Sequence, residues 1–220
     1  GAMEKKEILE ALQKAKKESK ERKFNQSIDF SIVFKELDLN KPEGKIDDFL
    51  TLPNKVSKPV KICALVDKEL TTTAGELFDK VIAKDEFSKV AGKKRELKKL
   101  AREYDFFIAQ ANIMTDVAAT FGKIFGPVGK MPNPKAGCIV TPKSDLESLK
   151  DRLQRTVGIK NRKQPVVSMR VGAEDMDEEK VISNTLTAYD FIKRKLPRAE
   201  QQIKKTYIKL TMGKPIKIGA

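Results

Sequence analysis

The sequence predicts an α/β protein of two domains: a discontinuous N+C-terminal α/β domain and an inserted Rossmann-like α/β domain. Three observations carry that prediction. Alternating, half-buried strand patterns occur near both ends, at residues 27–34 and again from Val157 onward. Between them, Val60, Ile62, Cys63, Ala64, Leu65 and Val66 form a near-continuous apolar run, as in a strand covered on both faces. Helical and strand-like segments then alternate up to about residue 155. The boundaries that follow are 4–58 with 156–220 for the discontinuous domain and 59–155 for the insert. A chain of 220 residues with 40% hydrophobic composition has room for two such cores.

Taken in order, residues 4–22 read as a helix with Ile8, Leu9, Leu12 and Ala15 as its apolar stripe. "SIDFSIVF" alternates: Ile28, Phe30, Ile32 and Phe34 face one way, Ser27, Asp29 and Ser31 the other. A second short strand falls near 48–52. After the apolar run, "AGELFDKVIAKDEFSKVA" and "KRELKKLAREY" read as helices and "DFFIAQ" as a buried strand. "MTDVAATFGKIFG" reads as a third helix and "CIVT" as a short strand. "SDLESLKDRLQRTVG" reads as a helix with Ser144 as its cap and Glu147 three residues on. Strands at "QPVVSMRVG" and "KTYIKLTMGKPIKI" flank a last helix over 177–196, whose acidic first turn and basic last turn suit the helix dipole.

A net charge of +14 favours a polyanionic partner, nucleic acid first among them. The insert carries 18 basic and 13 acidic residues, the two flanking pieces together 27 and 18. From Phe191 to Lys217 there are nine basic residues and one acid, Glu200, so the terminal domain is the better electrostatic candidate for an RNA surface. The six basic residues of Lys93–Arg102 spread around a helix axis and read as a solvated face. With 11 Phe, 3 Tyr and no Trp, a base-stacking platform is weakly supported. Structured RNA, recognised by shape, phosphate and 2′-hydroxyl, fits better.

Catalysis is not expected. The chain has no histidine and no C-x-x-C, which removes most zinc sites and every histidine-based scheme. Cys63 and Cys138 read as ordinary buried thiols. Glu174, Asp175, Asp177, Glu178 and Glu179 read as a solvated helix N-terminus rather than a metal site. Asp47 and Asp48 are neighbours on a strand and face opposite sides, which suits no acid/base pair. No cofactor and no metal is expected, and with no apolar run near ~18 residues the expectation is a soluble, cytoplasmic protein without a membrane partner.

The stretch "GKIFGPVGKMPNPKAG" holds four glycines and three prolines in 16 residues and raises the question of a phosphate loop. A Walker loop needs a glycine five residues before Gly129-Lys130 and a hydroxyl after it; the chain has Ile124 and Met131. A dinucleotide fingerprint needs G-x-G-x-x-G after the first parallel strand, where "KELTTTAGELF" offers one glycine. The insert has the pattern of a nucleotide-binding fold without its phosphate loop.

"FGKIFGPVGKMPNPKAG", "RKFNQSIDFSIVFKELDLNKPEGKI", "EYDFFIAQANIM" and "YIKLTMGKPIKI" together resemble the large-subunit ribosomal protein L-one family in its archaeal type, over nearly the whole chain and in the right order. The resemblance implies two α/β domains joined by a hinge, and a ribosomal protein of the large-subunit stalk that is a monomer outside the ribosome. Its partners would be the rRNA stalk, its own mRNA, which it represses, and exit-site tRNA, whose release it assists. It implies an RNA-binding set of Phe24, Ser27 and Asp29 at the first strand and Thr211, Met212 and Gly213 at the last, flanked by Lys23 and Lys163. Hydrophobicity alone would place Phe24 and Met212 in the core. Gly126, Gly129 and Lys130 would belong to a second RNA-facing loop, although Val128 stands where many members carry Arg. Two other readings stay open at this point: a non-ribosomal RNA-binding regulator of the same fold, and a phosphate-handling α/β enzyme using the Gly/Pro loop.

Overall fold

The computed structural model describes residues 3–56 and 58–219. In chain order the elements are α1 (Lys5–Glu18), β1 (Ser27–Phe34), β2 (Asp47–Thr51), β3 (Ile62–Val66), α2 (Thr71–Leu77) and β4 (Lys80–Ala83). There follow α3 (Phe87–Val90), α4 (Lys94–Glu103), β5 (Phe106–Gln110), α5 (Met114–Phe125), β6 (Ile139–Val140) and α6 (Leu146–Leu153). The last are β7 (Thr156–Lys160), β8 (Val166–Ala173), α7 (Glu178–Lys195), β9 (Ile203–Leu210) and β10 (Ile216–Lys217). This is a mixed α/β fold with one antiparallel and one parallel four-stranded sheet. The chain divides into two compact units, one of residues up to Lys58 with those from Arg155 onward, the other Pro59–Gln154.

In the first unit, β10, β9, β1 and β8 pair in that order, all antiparallel. The period-two pattern of β1 turns Ile28, Phe30, Ile32 and Phe34 inward, where Ile8 and Leu12 of α1 and Val181, Ile182 and Ile192 of α7 join the same core. The other face of β1 carries Ser27, Asp29, Ser31 and Val33 and is left half-exposed. A separate ladder of β2 with β7 completes the unit. Asn184 of α7 is fully buried, and its amide donates to the carbonyls of Val171 and Asn54. Its oxygen accepts from the Asn54 N–H, so the helix is tied to both a strand and a loop.

In the second unit, β4, β3, β5 and β6 pair in parallel. Cys63 and Leu65 of β3 and Phe107 and Ala109 of β5 meet Leu97, Val117, Phe121 and Phe125 of α4 and α5. Ile62, Ala64, Val66 and Ile108 alternate with them and are buried as well, which is why β3 reads as an unbroken apolar run. Gln154 closes the unit where the chain enters and leaves it: its side chain accepts from Val60 N–H at 2.8 Å and donates to Val60 O at 3.0 Å.

Five details differ from the sequence reading. The helix read through "SDLESLKDRLQRTVG" ends at Leu153, and Thr156–Lys160 is β7 rather than its tail, because antiparallel pairing with β2 supplies the hydrogen bonds. "KVIA" is a strand, β4, rather than the middle of a helix, because parallel pairing with β3 supplies its hydrogen bonds. The cap of α6 is Asp145, which accepts from Ser148 N–H; Ser144 is occupied, its hydroxyl accepting from Thr141 N–H. Helix α1 ends at Glu18, where Ser19 turns extended, four residues earlier than expected. The C-terminal strand pattern is split into β9 and β10 by a turn at Thr211–Gly213.

Both cysteines are free and buried. Burial pushes the Cys63 thiol up to about 12, and burial pushes Cys138 up to about 11. An unfolded thiol titrates near ~8.5, so the folded state holds these protons while the unfolded chain releases them. The resulting stability is complete below about pH 8.5 and is lost as pH rises toward the folded values. Urea unfolding at pH 7.5 and 9.5 should show a loss of roughly 1 kcal/mol per thiol, and a Cys63→Ala, Cys138→Ala variant should lose that part of the slope. An identical slope in the variant would assign the effect to other groups.

Candidate nucleic-acid interface

The end of β1 and the turn after β9 are joined by hydroxyl chemistry. Ser27 Oγ and Thr211 Oγ1 lie 2.8 Å apart, and Thr211 Oγ1 also accepts from the Ser27 backbone N–H at 3.0 Å. In return the Thr211 N–H donates to the Ser27 carbonyl at 3.1 Å. Each hydroxyl has one proton, so the pair can present to a ligand either a free O–H or a free lone pair. That matches a 2′-hydroxyl, which is both donor and acceptor.

The next two residues are set by the turn. The Gly213 N–H donates to Leu210 O at 3.0 Å, and Lys209 Nζ donates to Thr211 O at 3.0 Å. Met212 stands 56% exposed and Phe24 53% exposed, so these apolar side chains face solvent and not the core. A Cβ at Gly213 would meet Leu210 Cβ only at 3.4 Å. The fold therefore tolerates a side chain there, and its absence leaves the turn backbone open to an incoming group.

Beneath this edge lies Gln26, which is fully buried. Its side-chain oxygen accepts from Met212 N–H at 2.9 Å and its amide donates to Ser19 Oγ at 3.2 Å. Its backbone N–H donates to Glu174 Oε1 at 2.8 Å, and Glu174 N–H donates back to the Gln26 carbonyl at 3.0 Å. Glu174 is thus a structural acceptor, Asp177 caps α7, and Glu178 pairs with Lys16 at 3.4 Å. The acidic stretch holds elements together.

Phe24, Asn25, Ser27, Lys58, Arg170 and Thr211 line one depression of about 450 Å³. Asp29, one step along the polar face, stands opposite Arg170 of β8 and Lys209 of β9 in the ladder. The structure thus brings Phe24, Ser27, Asp29, Thr211, Met212 and Gly213 to one edge, with Lys23 adjacent in the loop before β1. Lys163 lies elsewhere. It precedes Val166, which pairs with Val33, whereas Ser27 pairs with Ala173, and at ~3.4 Å per residue that register separates them by roughly 20 Å. Arg170 and Lys209 are the cations nearest in register. Their signal was present, since Ser168 and Arg170 form the polar face of an alternating strand, but choosing them required knowing that β8 and β9 flank β1.

The Gly/Pro stretch is held by its own backbone. Gly129 has φ +69, its N–H donates to Gly126 O at 3.1 Å, and Lys130 N–H donates to Phe125 O at 2.9 Å. This is the paired bonding of a glycine-terminated helix end, with Gly129 as the left-handed residue that stops α5, while Gly126 remains helical and supplies only its carbonyl. Lys130 Nζ donates to Tyr104 O at 2.7 Å, and burial holds its pKa below the ordinary lysine value.

Two α/β units, one interrupting the other, with hydroxyls, exposed apolar side chains and cations gathered along one edge of the discontinuous unit, define a two-domain α/β protein. The chain belongs to the ribosomal protein L1p/L10e family, whose family model matches residues 14–214. It is 42% identical over 213 residues to the large ribosomal subunit protein uL1 of Methanothermobacter thermautotrophicus, covering 96% of this chain and 98% of that one. The uL1 proteins of Pyrobaculum arsenaticum and Thermococcus kodakarensis are 40% and 36% identical, over 97% and 99% of this chain and 91% and 99% of theirs. Among the described residues no helix is long and apolar enough to cross a membrane.

Proposed function

We propose that this chain is a large-subunit ribosomal protein that grips a folded element of large-subunit rRNA with the edge formed by Phe24, Ser27, Asp29, Thr211, Met212 and Gly213. The observation that carries the reading is the mutual hydrogen bonding of Ser27 and Thr211 beside exposed Phe24 and Met212. Hydroxyls meet 2′-hydroxyls and backbone oxygens, and the two apolar side chains pack on sugar or base faces. Arg170 and Lys209 offset the repulsion that Asp29 would exert on phosphate and leave its carboxylate to accept hydrogen bonds from sugar or base. The chain acts in the ribosome of the cytoplasm, as a monomer before assembly. Its RNA-binding unit stays fixed while the other unit swings on the two chain connections between them, which assists release of exit-site tRNA. The same edge, filled by its own mRNA, represses translation.

Filter binding with a large-subunit stalk rRNA fragment and an unrelated folded RNA of equal length, at low and high salt, tests this. The stalk fragment should keep a clear advantage at high salt, where counterion release weakens the non-specific component. Equal binding and equal salt dependence for the two RNAs would remove the stalk assignment.

A further inference from the structure

Three large hydrophobic side chains are exposed among the described residues: Phe24, Met212 and Val128. The first two belong to the proposed RNA edge of the first unit. Val128 belongs to the second unit and has no part in that edge. It lines a groove of about 470 Å³ between α4 and the end of α5. Ala101, Ile124, Pro127 and Val128 give the groove an apolar floor, and its cations are Lys98 and Arg102 from α4, Lys123 from α5 and Lys130, whose Nζ is already bonded to Tyr104 O.

The two parts of this groove call for different things in an occupant. The floor needs an apolar group, because an exposed patch of this kind gains by being taken out of water. The walls present cations spaced one helical turn apart on α4, Lys98 and Arg102, together with Lys123 of α5. A second copy of this chain would bring its own cations to the contact, at a net charge of +14 per chain. RNA would satisfy the walls through its phosphates, but the floor offers it only aliphatic carbon, with none of the aromatic or thioether surface that Phe24 and Met212 present to sugar and base faces at the other edge. A protein segment with apolar side chains on one face and carboxylates on the other satisfies both, in the helix-in-groove mode of peptide recognition.

We infer that the groove between α4 and α5 is a docking site for an acidic amphipathic helix of another protein. The site is independent of the RNA edge and stands or falls without it.

The probe is a fluorescein-labelled 18-residue helical peptide with Leu at every third or fourth position and Glu elsewhere, titrated by anisotropy into the full chain. The control peptide carries Lys in place of Glu. Two charge-matched variants decide between a site and general attraction. Lys98→Gln, Arg102→Gln, Lys123→Gln alters the groove walls, whereas Lys68→Gln, Lys89→Gln, Lys143→Gln removes three exposed cations from the same unit away from the groove. The acidic peptide should bind the wild type, lose at least tenfold in affinity with the wall variant and with Val128→Asn, and lose less than threefold with the other triple variant. The lysine peptide should not bind. Absence of binding by the acidic peptide, or equal losses in both triple variants, overturns the proposal. So does competition by bulk tRNA that depends on Val128 and the wall residues, which would make the groove an RNA site.

Discussion

Thr211→Val should lower affinity for the stalk rRNA fragment by about 10- to 100-fold, the loss of one well-placed hydrogen-bonding group at a desolvated contact. Valine keeps the β-branched shape, so the turn after β9 and its Thr211 N–H to Ser27 O bond remain. What disappears is the acceptor for Ser27 N–H and the partner of Ser27 Oγ. The folded protein should lose only about 1 kcal/mol, because water can reach the freed groups at this exposed edge. Ser27→Ala should produce a similar RNA defect, and the double variant should fall well short of the sum, since the two hydroxyls act as one unit. Binding of an unrelated folded RNA should change little. If Thr211→Val weakens both RNAs alike, or if the two single losses add in full, the hydroxyl pair is not what reads the stalk.

Much of the fold was legible because pattern and packing agree. The alternation in "SIDFSIVF" can bury only one face, and the run through Cys63–Val66 must be covered on two. What was not legible depended on partners distant in sequence. "KVIA" has too few residues to declare a period, and only its pairing with β3, 17 residues upstream at Cys63↔Lys80, makes it a strand. Ser144 and Asp145 are both good caps, and the choice falls to Asp145 because Thr141 claims the serine hydroxyl.

The same distinction runs through the candidate site. Ser27 and Asp29 are readable as the polar face of β1, whereas Thr211 is singled out only by the family resemblance, because the strand pattern runs on through it and the turn there shows only in the structure. Phe24 and Met212 are not, because hydrophobicity alone sends both to the core while the structure exposes them. Arg170 becomes visible only with the antiparallel register of β8 against β1. Gln26 is hidden most completely. A polar residue between a loop and a strand gives no hint that it is fully buried and tied on every side.

For that reason Gln26→Ala is the sharpest test of how the edge is built. Truncation removes the acceptor of Met212 N–H and the donor to Ser19 Oγ, and leaves a void under the turn. Two lost partners and a cavity together should cost about 2–4 kcal/mol in urea unfolding. Gln26→Met fills the space and restores neither bond, so it should recover roughly half of that cost. Both variants should weaken stalk RNA binding, because each frees the Met212 backbone from the strand end that orients it. The two readouts separate packing from positioning: stability should rank alanine below methionine, whereas RNA affinity should fall by about the same factor in both. Wild-type affinity in Gln26→Met would mean that the volume under the turn, and not its hydrogen bond, holds Met212 in place.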